Sequence, residues 1–173
     1  MLSAPELSVM LDETIMIFHL HSKTPQKATR RFDGATPAGV HSVLLAMLVL
    51  HEESLPEELR VKVAVALLGH DMPEDTHLRL EELPFWIKKY NALKLVEALT
   101  FDESEDKFAK IWELGDEVIL AELFDAVGNL LCAKGVKPER MTYRRAMVGK
   151  MVVHIGHIWP DLDILKIAKG LLQ

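Results

Sequence analysis

A chain of 173 residues, 49% hydrophobic and 27% charged, has the length and composition of one folded domain that buries its own core. This excludes a disordered segment, and the single cysteine, Cys132, excludes an internal disulfide framework and fits a reducing compartment. The formal net charge of −6, with Lys and Arg nowhere gathered into a stripe, argues against a nucleic-acid partner, whose affinity would rest on phosphate neutralisation. A small phosphorylated substrate stays open, because a bound metal and a few arginines can supply the positive field. No signal pattern opens the chain and no apolar run reaches the length of a membrane span, so the expectation is a cytoplasmic protein without a membrane partner.

Apolar residues recur mostly at helical spacing and β-branched runs are brief, so the expected class is all-α, a helical bundle spanning residues 1–173 as one domain. Pro5 to His21 reads as a first helix, and a polar stretch from Ser22 to Gly34 follows. Thr36 and Pro37 look like a cap and first-turn pair opening a helix to about Glu52, buried nearly all round because Val43 to Leu50 is interrupted only by Ala46. Pro56 opens the next helix, which is expected to stop near Met72, since the residue before Pro73 is pushed out of the helical region. Further helices are expected near Glu81 to Asn91, Leu93 to Thr100 and Glu105 to Leu114. A long one is capped by Asp116, runs to about Lys134 and is closed by Gly135. Pro138 to His157 and Asp161 to Leu172 complete the bundle and leave a surface open to oligomerisation.

The segment Ala66-Leu67-Leu68-Gly69-His70-Asp71-Met72-Pro73-Glu74-Asp75-Thr76 carries the chemistry. A buried apolar helix ends in His-Asp, with two more acids close behind. Core packing does not ask for four titratable groups there, and buried charge is costly unless paired or metal-bound. Imidazole with carboxylate suits Mn²⁺, Fe²⁺ or Zn²⁺. His41 lies in the first turn of an apolar helix and points inward, either as a ligand or as a core histidine with one satisfied hydrogen bond. Asp125 projects opposite the stripe Ile119, Leu120, Leu123, Phe124, Val127, Leu130 and Leu131, so a solvated face is one reading. The small neighbours Ala121, Gly128 and Cys132, with Asn129 one turn on, make close approach of a helix or ligand the other.

Together these residues resemble the HD superfamily of metal-dependent phosphohydrolases, and in detail the hydrolase domain of the RelA/SpoT group and its free-standing small alarmone hydrolases. The likeness runs from Arg30-Arg31 through Thr36-Pro37-Ala38-Gly39-Val40-His41 and Leu67-Leu68-Gly69-His70-Asp71-Met72-Pro73-Glu74-Asp75-Thr76 to Asp125-Ala126-Val127-Gly128-Asn129-Leu130, about residues 30–130. It implies a metal, usually manganese, on His41, His70, Asp71 and Asp125, with Glu74 and Asp75 positioning or activating the attacking water. It further implies release of pyrophosphate from the 3′ position of guanosine tetra- or pentaphosphate. Arg30 or Arg31 would meet substrate phosphate or base, and Asn129 would face ribose or base. The chain departs from the group at Ala126, where lysine is usual, at Gly128, where an aromatic is usual, and at Pro73, which could shift Glu74 and Asp75. The chain is too short to add the synthetase domain of the long members.

His154 and His157 lie at helical spacing without an acid or cysteine close in sequence, so packing or capping is expected rather than a shared metal. Cys132 has no sequence-local base and reads as a packing residue. Two other functions compete with alarmone hydrolysis: an HD phosphohydrolase acting on another substrate such as a nucleoside 5′-monophosphate, and a non-catalytic HD-fold module that binds a nucleotide or a protein. The missing lysine after Asp125 favours the former, and the complete ligand set disfavours the latter.

Overall fold

The computed structural model describes residues 37–76, 78–100 and 107–173. The expected first helix, the polar stretch after it, and with them Arg30, Arg31 and Thr36, lie outside these residues. Nine α-helices and one 3-10 turn occupy the described chain. Helix α1 is Ala38–Leu50, α2 Glu57–Gly69, α3 Met72–Asp75, α4 Phe85–Lys89, α5 Leu93–Leu99, α6 Lys107–Leu114, α7 Asp116–Leu131, α8 Pro138–Ile158 and α9 Asp163–Leu172. The fold is all-α, and no helix among the described residues is long and apolar enough to cross a membrane.

Prolines set most of the boundaries. Pro37, Pro56 and Pro84 each precede a helix in extended backbone, and Pro138 occupies the first turn of α8, where its missing N–H would have had no intrahelical partner anyway. Pro84 also corrects the expected helix over 81–91. It cannot continue a helix from Leu83, so the segment divides into a 3-10 turn at Leu80–Glu82 and the short α4. The long helix starts at Asp116 but is preceded by Gly115 at φ 100°, and Asp116 sits in the first turn as a charge facing the helix dipole rather than as the cap. It ends at Leu131, three residues short of the expected Lys134.

Helix α7 is the centre of the bundle. Every residue from Val118 to Gly128 is buried, and α1, α2, α5, α6, α8 and α9 all pack against it. A continuous core of buried apolar side chains runs through all of these helices. Helix α2 is buried from Val63 to Gly69, so its C-terminal end, and the His70-Asp71 pair after it, is delivered into the core beside α7.

Two polar contacts tie the C-terminal helices to this frame. His154 of α8 donates to Asp116 at 2.7 Å and meets Trp112 edge-on, which fits its expected packing role. Glu52, buried just beyond α1, accepts the backbone N–H groups of Asp163 and Ile164 at 2.8 and 2.7 Å. A carboxylate from a segment more than a hundred residues away thus caps α9, satisfying two of its first-turn donors and facing the positive end of its dipole. Replacing Glu52 with alanine leaves these donors without acceptor in a buried place and is expected to lower the unfolding free energy by about 2–3 kcal/mol. Urea denaturation of the variant checks this; a midpoint equal to wild type would show the cap to be dispensable.

Candidate metal centre

The joint between α2 and α3 is built so that a histidine and an aspartate leave a buried helix together. His70 keeps helical backbone angles after α2 has closed, and Asp71 follows at φ −81°, ψ −11°, before α3 begins. Pro73 falls in the first turn of α3, where proline needs no partner for its nitrogen, so it is accommodated without breaking the turn. Asp75 N–H donates to the Asp71 carbonyl at 2.8 Å, and Thr76 seals the other end: its backbone N–H and its hydroxyl both donate to the Met72 carbonyl, at 3.0 and 2.6 Å. The local geometry of the His-Asp-x-x-Glu-Asp-Thr element is therefore a self-closed turn with Glu74 and Asp75 half-buried on it.

His41 comes from the first turn of α1 and is 1% exposed; Asp125 comes from the middle of α7 and is 5% exposed. The reading of Asp125 as a solvated carboxylate is thereby set aside. The small residues flanking it, Ala121 and Gly128, are buried, and α7 has no solvated face over this stretch. The His41 Nε2–H donates to Asp125 Oδ1 at 2.8 Å. His70 Nε2 lies 3.1 Å from Asp71 Oδ1 and 3.4 Å from Asp125 Oδ1, and the two imidazoles face one another with centroids 5.8 Å apart. Asn129 donates its amide N–H to Asp125 Oδ1 at 2.9 Å. All four residues expected to hold a metal thus converge on one point, drawn from α1, the α2–α3 joint and α7.

The donor set fits a divalent cation. His41, His70 and Asp71 offer ligand atoms all within 4.8 Å of one another. Atoms bound at about 2.1 Å at right angles around one ion lie about 3 Å apart, and the 2.8, 3.1 and 3.4 Å separations bracket that spacing. The His70 Nδ1–H donates to the Leu67 carbonyl at 2.8 Å, which fixes the ring and leaves Nε2 as the metal-facing nitrogen. That Nε2 is buried and faces the carboxylates of Asp71 and Asp125 without a well-formed hydrogen bond to either, the orientation a ligand atom would have. The Leu67 carbonyl belongs to the backbone, and no pattern of side chains could have announced it.

Of the remaining expected site residues, Asn129 is one turn beyond Asp125 and Glu74 and Asp75 follow the ligands on α3, whereas Arg30 and Arg31 fall outside the described residues. Gly128 has a role its residue type only hinted at. A Cβ there would stand 2.5 Å from Leu45 Cδ2 and 2.9 Å from His41 Cε1, so the bare backbone of α7 is what lets α1 bring His41 in.

Among solved structures, the chain is similar to one described as "A metazoan ortholog of SpoT hydrolyzes ppGpp and plays a role in starvation responses", with a TM-score of 0.69 and 19% identity, over 99% of this chain and 95% of that one. The chain shares the all-helical fold of that protein. No protein-family model matches the sequence, and no curated protein matches it.

The electrostatics of the cluster give a pH dependence. Burial alone would lower the pKa of His70, but Asp71 and Asp125, with the Leu67 carbonyl, outweigh it and raise the pKa from 6.5 to about 9. Because the folded value is raised, the stability His70 contributes to the metal-free protein is complete below about pH 6.5 and is lost as pH rises through about 9. A cation at Nε2 must displace that proton, so Mn²⁺ affinity should rise close to tenfold per unit between pH 7 and 8. Calorimetric titration in two buffers of different ionisation enthalpy measures both affinity and proton release. A flat affinity with no proton released would show that His70 does not ligate.

Proposed function

We propose that this chain is a divalent-metal-dependent phosphohydrolase that releases pyrophosphate from the 3′ position of a guanosine tetra- or pentaphosphate. The observation that carries the metal-dependent part is the buried His70 Nε2, fixed from behind by Leu67 and set among His41, Asp71 and Asp125. Support for the alarmone substrate comes from the His70-to-Thr76 element and from the fold shared with a protein described as hydrolysing ppGpp.

A divalent cation here, manganese by preference and iron or zinc as alternatives, would supply Lewis acidity to the phosphoryl group and make water more acidic. The protein's own residues do the rest. His41, His70, Asp71 and Asp125 would hold the cation. Glu74 and Asp75, half-buried on the short α3, orient the attacking water and take its proton. The bond broken joins the 3′ oxygen to phosphorus; the water oxygen goes to phosphorus, and the leaving 3′ oxygen receives a proton. Arg30 or Arg31 meets the substrate's phosphates or base, where a planar guanidinium grips two oxygens at once.

A second reading, hydrolysis of a nucleoside 5′-monophosphate, draws on Ala126. The lysine usual after the metal-binding aspartate would add a cation beside the substrate, and this chain has a buried alanine there. A smaller phosphate load needs fewer cations.

Purified protein with Mn²⁺ offered ppGpp beside a panel of nucleoside monophosphates separates the two. The expected outcome is pyrophosphate from ppGpp, reduced more than about 100-fold by His70→Ala and by Asp71→Ala. Orthophosphate from a monophosphate would move the substrate to the second reading. Mn²⁺ binding without turnover of any compound would point to a nucleotide- or protein-binding module instead.

A further inference from the structure

We propose that Asn129 is a positioning residue of the metal site, holding the Asp125 carboxylate in register, and that Gly128 beside it seats His41. On this account the α7 segment from Asp125 to Asn129 serves the cation rather than reading the substrate. The inference rests on the metal-binding part of the function proposed above, and not on the alarmone.

The two imidazoles of the site are held in different ways. His70 is fixed by a hydrogen bond from Nδ1 to the Leu67 carbonyl. His41 has no such anchor among the described residues: its Nδ1 is buried and meets no hydrogen-bond partner there. Among the described residues its ring is oriented by the Asp125 hydrogen bond, by the tilted ring of His70 and by the side-chain-free surface of Gly128, which His41 and Leu45, one helical turn apart on α1, both meet closely. A methyl at position 128 would collide with both, and both are buried, so neither has solvent to move into.

In the metal-free protein Asp125 is thus the hydrogen-bond partner that turns His41 Nε2 towards the site, so a shift of its carboxylate would displace two of the side chains that would hold the cation. Asn129, four residues on and so on the same face of α7, donates to the same carboxylate oxygen, Oδ1, that receives His41 and faces His70. An aspartate has a soft terminal torsion, and a donor in this place removes that freedom. Residues that orient metal ligands in this way are commonly worth 10–100-fold in metal affinity.

The test is Mn²⁺ affinity by calorimetry, read without substrate, on wild type, Asn129→Ala and Gly128→Ala, with thermal melts recorded in parallel. Asn129→Ala is expected to keep its fold and bind Mn²⁺ at least about tenfold more weakly, with Asn129→Gln, which retains the amide donor, recovering part of the loss. Gly128→Ala is expected to weaken Mn²⁺ in the same sense through His41. Unchanged affinity in Asn129→Ala, with KM for the turned-over nucleotide raised, would overturn the proposal and make Asn129 a substrate contact. If Asn129→Ala does not fold, the comparison of Asn129→Gln with wild type decides by the same criterion. Wild-type protein that binds no Mn²⁺ would overturn the metal site itself, an outcome separate from failure of the variants alone.

Discussion

A carboxylate taken out of water costs several kcal/mol unless donors or a cation replace the hydration it loses, and Asp125 is such a carboxylate, set in the middle of the most deeply buried helix of the bundle. The surrounding architecture can be understood as the means of meeting that cost. Helix α1 supplies His41, the C-terminal end of α2 supplies His70 and Asp71, and α7 itself supplies Asn129. In the metal-free protein the protonated His70 compensates two carboxylates at once, which is why its pKa rises despite complete burial. A divalent cation would do the same work with more charge. The cluster is thus shaped to exchange a proton for the ion.

How far the sequence announced this differs from residue to residue, for physical reasons. His70 and Asp71 were legible because an apolar helix that terminates in titratable groups has no packing explanation. Prolines made the helix starts at Ala38, Glu57 and Pro138 legible as well, since proline constrains the chain locally and needs no tertiary partner. Pro84 carries the same signal and divides the segment that periodicity alone reads as one helix over 81–91. Asp125 was ambiguous because helical periodicity assumes one wet face, and α7 has none over Val118–Gly128. Only the small size of Ala121 and Gly128 pointed the right way. The cap that Glu52 makes on α9 joins residues 111 and 112 positions apart through backbone donors, and no local pattern encodes it.

The departures from the RelA/SpoT pattern take on physical content in this light. An aromatic side chain at position 128 could not coexist with His41 where it now lies, so Gly128 and the close approach of α1 to α7 belong together. Pro73 falls in the first turn of α3, a place that tolerates it, and the Thr76 bonds to Met72 keep that turn intact. Ala126 is the departure that packing does not compensate. It removes a cation from the neighbourhood of the metal ligands without altering the ligands themselves. If the substrate is phosphorylated, as proposed, the charge that lysine would have offered would have to come from a bound cation or from arginines elsewhere in the chain, and the demand would grow with the number of phosphates bound. On the proposed function, holding the cation and choosing the substrate would therefore be separable, the first resting on side chains that meet inside the bundle and the second on the positive charge offered to the phosphates.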